Sequence, residues 1–146
     1  MTPRLRPARP RDARAMGRIL HAFQARHDWM PRLYSRAECR RYAATMIRRG
    51  WVTVALRFGR VAGFIARDGA EICALYLAPR AAGRGMARLL MDEAKARTDR
   101  LWLRCVETNH HARRFYARHG FVETARGADE DTALPAITYV WSAEAA

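Results

Sequence analysis

The run LYLAPRAAGRGMARLL, from Leu75 to Leu90, constrains this chain more than any other stretch. A short apolar strand ends at a proline and bends through two glycines. It then passes directly into a helical pattern with apolar residues at Met86, Leu89, Leu90 and Ala94. The first N–H groups of such a helix have no acceptor within it and sit at the positive end of its dipole. Gly83 and Gly85 place no Cβ in front of them, so the stretch predicts a cradle for phosphate groups. A short Gly-x-Gly taken alone serves a plain turn equally well.

A second block, LWLRCVETNHHARRFYARHGF at 101–121, reads as a strand, a cap, a helix and the start of another strand. Asn109 suits an N-cap, and Gly120 stops the helix. Ala112, Phe115, Tyr116 and His119 repeat at the i, i+3, i+4, i+7 spacing of one helix face. On these residues alone, Asn109 reads as a cap or a ligand, and Tyr116 as core or as a reactive group.

Together the two blocks resemble the GNAT superfamily of acetyl-CoA-dependent N-acetyltransferases. Counted from Pro79, the family's bend Gln/Arg-x-x-Gly-x-Gly/Ala falls on Ala82, Gly83, Arg84, Gly85, Met86 and Ala87. Gly85 and Ala87 match. Ala82 departs from the usual polar residue, with Arg80 and Arg84 nearby to supply charge. The second block follows the family pattern Asn-x-x-Ala-x-x-Phe-Tyr-x-x-x-Gly-Phe. The resemblance implies acetyl-CoA as cosubstrate, with its diphosphate held along Ala82, Gly83, Arg84, Gly85, Met86, Ala87 and Arg88. It implies that the strand edge at Leu75, Tyr76 and Leu77, together with the Asn109 side chain, meets the pantetheine arm. It also implies that the Tyr116 hydroxyl faces the thioester sulfur. The implied fold is α/β: a mixed, mostly antiparallel sheet of six or seven strands with splayed middle strands and about four flanking helices.

The rest of the chain reads in the same order. Leu5 to Ala8 predicts a first strand, and Asp12 a cap for a helix with Met16, Ile19, Leu20 and Phe23 on its apolar face. The segment RHDWMPRLY interrupts it. Ser35 and Glu38 form a capping box ahead of a helix carrying Cys39, Tyr42, Ala43, Met46 and Ile47 on one side, closed by Gly50. Strands at Trp51 to Leu56 and Val61 to Ala66 flank a Phe58-Gly59 turn, and Asp68-Gly69 predicts a hairpin before Glu71 to Leu77. Two final strands, Phe121 to Thr124 and Ile137 to Trp141, are joined by the polar loop ARGADEDTALP. No repeat or linker divides residues 1–146, which read as a single domain.

Composition narrows the partners. Lys and Arg number 27 against 14 Asp and Glu, a formal net charge of +13, and all but Lys95 are arginine. The arginines are spread along the whole length, whereas a nucleic-acid binder gathers them into a patch interleaved with aromatics. No specific nucleic-acid partner is therefore expected, and positive potential steers a polyanionic cosubstrate instead. No apolar run approaches the ~18 residues that span a bilayer, and the first residues lack the apolar segment of a secretory signal. Cys39, Cys73 and Cys105 have no paired spacing, which points to a reducing cytoplasm and to no structural metal. A homodimer stays open.

Acetyl transfer to an amine requires a base to deprotonate an ammonium of pKa about 10.4, and an acid helps the sulfur leave. Tyr116 is the acid. Glu71 opens the strand at a position where many relatives carry a glutamate acting through water, and is the first candidate for the base. Its other reading is a solvated carboxylate after the Asp68-Gly69 turn. Glu107 is the reserve. His110 and His111 in the first helical turn read as solvated, and His21, His27 and His119 have no metal-binding spacing. Arg104 stands where the branch that acetylates ribosomal-protein N-termini carries a glutamate, which points away from that acceptor. The acceptor pocket is expected between 27–34 and 127–135, from Trp29, Met30, Tyr34, Glu107 and Glu130, with Asp129 and Asp131 alongside. Aromatics beside acids suit a small cationic amine. The plainer reading packs Trp29 and Met30 in their loop and leaves the acids in water. The expected function is N-acetyl transfer from acetyl-CoA to a primary amine of a small molecule or peptide in a ternary complex. The alternative is an acyl-CoA-binding or basic partner-binding module without turnover.

Overall fold

The computed structural model describes residues 3–30 and 34–145. Its elements are β1 (Arg4–Pro7), α1 (Ala13–Arg26), α2 (Arg36–Arg48), β2 (Val52–Arg57), β3 (Arg60–Asp68) and β4 (Glu71–Leu77). They continue with α3 (Met86–Arg97), β5 (Arg100–Val106), α4 (His110–Arg118), β6 (Val122–Ala128) and β7 (Pro135–Ser142). The strands form one seven-stranded sheet in the order β1-β2-β3-β4-β5-β7-β6. Every neighbouring pair is antiparallel except β4 and β5, which run parallel. This is the mixed, mostly antiparallel sheet with four helices that the sequence leads one to expect.

Local chemistry accounts for most of the boundaries. Ser35 Oγ accepts the Glu38 N–H at 3.1 Å and Glu38 Oε1 accepts the Ser35 N–H at 2.9 Å, so the capping box starts α2 as read. Phe58 and Gly59 both have positive φ, 52° and 74°, the conformation that matches the twist of a two-residue hairpin between β2 and β3. Met16, Met46, Phe64, Met86, Leu90, Leu101 and Ile137 are fully withdrawn from water in the core. Helices α1 and α2 approach so closely that a Cβ on Gly17 would lie 2.9 Å from the Arg40 backbone. Lys95 ties α3 to the end of α4: its Nζ donates to the His119 carbonyl at 2.5 Å and sits 5.0 Å from the Trp141 ring.

Several expectations are corrected. Asp12 does not cap α1 through its side chain. Its buried carboxylate instead accepts two bonds from the Arg6 guanidinium, at 2.7 and 3.2 Å, and one from the Arg9 N–H at 2.7 Å. A charged partner on β1 and the turn Pro10–Asp12 outbid the helix end. Leu89 and Tyr42, read as core-facing, are 37% and 50% exposed. The last hairpin is longer than its apolar pattern: β6 begins at Val122 and takes in the first half of the polar loop, pairing as far as Ala128 with Pro135. All seven residues of β6 are exposed, so no apolar alternation marks it.

Candidate active site

The site begins where the sheet opens. Strands β4 and β5 share a single register pair, Glu71 with Trp102, supported by the Trp102 N–H to Ala70 carbonyl bond of 2.9 Å. Beyond it the two strands part, while β5 stays paired with β7 along its whole length, from Arg100 with Ser142 to Val106 with Ala136. Glu71 therefore marks the apex of a wedge. A bulge decides what lines it. Cys73 has no partner on β3, which pairs Ala66 with Ala74 and Arg67 with Ile72. The Ala78 N–H donates to the Ala62 carbonyl at 2.7 Å, so the alternating antiparallel ladder turns the backbone groups of Ala74 and Tyr76 toward β3. Those of Leu75 and Leu77 consequently turn away from β3, into the wedge.

At the end of β4, the short turn Pro79–Ala81 is anchored by buried Ala81 and by Arg80, whose Nη2 donates to the Val61 carbonyl at 3.0 Å. The Ala82 N–H closes on the Pro79 carbonyl at 3.3 Å. Gly83 and Gly85 then adopt φ of +77° and +78°, in the left-handed region, with no atom within 4 Å of where a Cβ would stand. Gly85 occupies the N-cap of α3 without a side-chain cap, and the Leu89 N–H bonds the Gly85 carbonyl at 3.1 Å. By helix geometry the N–H groups of Met86, Ala87 and Arg88 have no acceptor within α3. Arg84 lies exposed beside them with its Nε 3.3 Å from the Arg80 carbonyl, and Arg88 is 3.9 Å from Asp92. Bare donors, two open glycines and exposed guanidinium groups suit an anion of diphosphate size.

Across the wedge stands α4. Asn109 is its cap, with Oδ1 accepting the Ala112 N–H at 3.3 Å. Arg113 fixes its first turn, donating to the Tyr139 hydroxyl at 3.1 Å and to the Glu107 carbonyl at 3.2 Å. Tyr116 is half-buried, its ring 5.6 Å from Phe121 and 5.9 Å from Tyr139. Its hydroxyl has no hydrogen-bond partner among the described residues. Burial, and then the neighbouring Cys105 and Tyr76, push its pKa well above the ordinary phenol range. Burial likewise raises Tyr76, and it lifts the Cys105 thiol to about 11 although Arg113 opposes the shift. Tyr116 from α4, Cys105 from β5 and Tyr76 from β4 are thus all held in their uncharged forms at neutral pH.

On the other side of Tyr76 lies an aromatic group from the end of α1. Phe23 packs edge-on to Tyr76 at 5.0 Å and to Trp29 at 6.1 Å, and His27 lies 4.1 Å from Phe23 and 5.3 Å from Trp29. The His27 Nδ1 is 2.7 Å from the Phe23 carbonyl. Met30 follows, half-buried, its N–H on the His27 carbonyl at 3.2 Å. Pro31, Arg32 and Leu33 of the same segment lie outside the described residues. Tyr42 lies on α2; although half its surface meets solvent, desolvation of the phenol and then Cys73, Asp131, Glu71 and Tyr34 raise its pKa. Among those groups only Glu71 lies at the apex of the wedge.

Two of the other predicted acids, Glu107 and Asp129, have protein partners of their own. The Glu107 carboxylate lies 3.5 Å from Arg126. Glu130 lines a recess of about 240 Å3 with Arg104, Arg126 and Thr138, separate from the aromatic group. Asp129 is consumed by its own turn, accepting the Thr132 N–H and hydroxyl, each at 2.8 Å. His110 and His111 are exposed, as read. Sequence reasoning missed the bulge at Cys73, the acids near Tyr42 and the bonds of Arg113. None of these has a local signal, because each is defined by a partner distant in the chain.

Residues 32–142 match the family described as Acetyltransferase (GNAT) domain. The chain belongs to the GNAT acetyltransferase family. It is 30% identical over 84 residues to the peptidyl-lysine N-acetyltransferase YiaC of Escherichia coli, a match spanning 57% of this chain and 58% of that protein. The GNAT fold extends further than that match. The apo form of YjaB from Escherichia coli superposes with a TM-score of 0.80 at 24% identity, covering 97% of this chain and 98% of that one. A GNAT-family acetyltransferase from Bacillus cereus gives 0.78 at 15% identity, covering 97% and 98%. The structure of yncA from Salmonella typhimurium, solved with acetyl-CoA, gives 0.72 at 18%, covering 98% and 95%. At these identities the likeness concerns the fold. Acetyl-CoA is the cosubstrate of GNAT acetyltransferases, and the open glycines and uncapped start of α3 fit its diphosphate.

Proposed function

We propose that this GNAT acetyltransferase passes the acetyl group of acetyl-CoA to a primary amine of a cationic small molecule or peptide by direct attack in a ternary complex. The observation that carries this reading is the wedge between β4 and β5, with Glu71 at its apex and the α3 cradle beyond the end of β4. Asp131 raises the phenols of both Tyr42 and Tyr76, and Glu71 raises that of Tyr42, so acids lie near these two rings. Acids near the Tyr42 and Tyr76 rings favour a cationic acceptor.

Acetyl-CoA supplies a thioester, whose carbonyl carbon gains the amine nitrogen as its bond to sulfur breaks. The chain's own groups do the rest. The α3 N–H groups, Gly83 and Gly85 hold the diphosphate, and the free backbone groups of Leu75 and Leu77 align the pantetheine arm. The Asn109 amide nitrogen, unused by the cap, adds a donor beside it. Glu71 removes the ammonium proton, directly or through water. Tyr116, kept protonated by its surroundings, offers its O–H to the departing sulfur. Holding the two reactants in line supplies much of the acceleration, up to roughly 7–11 kcal/mol in model systems. The free hydroxyl of Tyr116 and the presence of Glu71 favour turnover over a binding module without it. We assign the enzyme to the cytoplasm, a reading supported by three free cysteines and by the lack, among the described residues, of any helix long and apolar enough to cross a membrane.

An acceptor panel tests the proposal: polyamines, aminoglycosides, free amino acids and lysine peptides, the last prompted by the peptidyl-lysine relative. The readout is free thiol released from acetyl-CoA, with the acetylated product confirmed by mass. Turnover is expected with at least one cationic amine and not with neutral alcohols. Acetyl-CoA binding without transfer to any amine would favour the non-catalytic module.

A further inference from the structure

Burial alternates strictly along β5: Leu101, Leu103 and Cys105 are buried, whereas Trp102, Arg104 and Val106 are not. Successive strand residues point to opposite faces, so Trp102 and Arg104 share one face. Trp102 is the register partner of Glu71, and register partners present their side chains on the same face of a sheet. Glu71 at the apex of the wedge, Trp102 beside it and Arg104 two residues further on therefore lie on one face. The Arg104 guanidinium stacks on its neighbour, with Cζ 5.2 Å from the centre of the Trp102 ring. It is exposed and has no ion pair or hydrogen bond among the described residues, unlike Arg6, Arg97, Arg113 and Arg126, each of which has a carboxylate. The Glu71 carboxylate also has no cation among the described residues. From strand geometry, about 4.8 Å across and 6.6 Å along, the two backbone positions are about 8 Å apart. One face of the wedge thus carries a negative and a positive group that do not neutralise each other.

Arg104 also lines a recess of about 240 Å3. Thr138 on β7 is its register partner, and Ala125 on β6 is the partner of Thr138, so the three stand abreast. Ala136 and Gly127 keep the lining low, and Glu130 joins it. The volume is below the roughly 300–1,000 Å3 of a pocket for a whole ligand, so it takes one end of a molecule. A single guanidinium near Glu130 suits a monoanion better than a phosphate dianion, and it can meet a carboxylate with two parallel N–H bonds.

We infer that Arg104 binds a carboxylate of the acceptor, so that the amine meeting Glu71 belongs to a zwitterionic molecule or peptide with its carboxylate about 8 Å or less from the reacting nitrogen. The inference rests on the acceptor reading above and narrows it: Glu71 takes the ammonium end and Arg104 the other.

Three amines with one five-carbon chain test it: 5-aminopentanoate, 5-aminopentanamide and pentane-1,5-diamine, whose far ends are negative, neutral and positive. In wild type, kcat/KM should be about tenfold higher for the carboxylate than for the amide, and lower again for the diamine. Arg104→Gln should bring the carboxylate-to-amide ratio to about one. Arg104→Glu should reverse the order in favour of the diamine, a response that a general loss of stability does not produce. The KM for acetyl-CoA should stay within about twofold in both variants. Equal kcat/KM for the carboxylate and the amide in wild type, a preference that survives Arg104→Gln, or a parallel rise in the acetyl-CoA KM overturns the inference. If wild type turns over none of the three, calorimetry on the CoA-loaded enzyme replaces the rates. Tighter binding of the carboxylate that is lost in Arg104→Gln then sustains the subsite, and equal binding refutes it. Failure of the whole acceptor panel as well would count against the acceptor reading itself.

Discussion

Tyr116 and Glu71 make opposite demands on an experiment. Because burial keeps the Tyr116 phenol protonated, it contributes no ionisation limb to the rate below about pH 10. Tyr116→Phe should lower kcat about 10- to 1000-fold, with acetyl-CoA affinity and the shape of the pH profile both retained. Glu71→Gln should instead change the shape, losing most rate where the amine is still an ammonium, as measured from pH 6 to 9 with one confirmed acceptor. A Tyr116→Phe enzyme as fast as wild type under rate-limiting chemistry would reduce Tyr116 to ring packing. At the Asp12 carboxylate, burial works against ionisation, but the Arg6 guanidinium and the Arg9 N–H outweigh it and hold the pKa below its ordinary 3.8. A depressed folded pKa means the stabilisation is whole above the unfolded pKa and fades as pH falls through the folded one. Asp12→Asn should accordingly cost about 2 kcal/mol at neutral pH, converging with wild type only below about pH 4 in denaturant titrations. Asp12 was legible as a residue with a structural role, yet its partner was not. The sequence offers the adjacent helix, and only the fold brings Arg6 alongside.

The start of α3 was the most legible element, since its chemistry is local: two glycines, an uncapped helix and a proline fix the backbone with little help from elsewhere. Gly85 at φ +78° with open space beyond its Cβ position gives a sharp test. Gly85→Asp puts bulk and negative charge where the diphosphate is expected. It should abolish acetyl-CoA binding by calorimetry while the protein stays folded, with the left-handed residue costing about 1 kcal/mol. Retained affinity in a folded variant would dismiss the cradle. Helix α4 was also legible, because a cap, a repeating apolar face and a stopping glycine are all written within one segment. Strand β6 was not. It is exposed along its length and takes its extent from the edge that β7 presents, so no apolar alternation records it.

For the molecule as a whole, the net charge of +13 is the property most open to misreading. Arginines are spread along the sequence, and several are already committed: Arg6 to Asp12, Arg97 to Glu93, Arg113 and Arg126 to Glu123. Binding to DNA or RNA should therefore be weak, indifferent to sequence and lost steeply between about 50 and 200 mM salt, as read by fluorescence anisotropy. Sequence-selective binding at physiological salt would overturn that expectation. By itself the sequence determined what depends on neighbours in the chain: the order of the elements, the glycine bend, the caps of α2 and α4, and the cosubstrate class that follows from them. Tertiary structure decided what depends on neighbours in space. It set the bulge at Cys73 that turns Leu75 and Leu77 into the wedge, the pairing of Glu107 with Arg126, and the packing of Phe23 from α1 on Tyr76 of β4. Sequence spacing records backbone propensity over a few residues, whereas a site made where two strands part is set by packing between elements far apart in the chain.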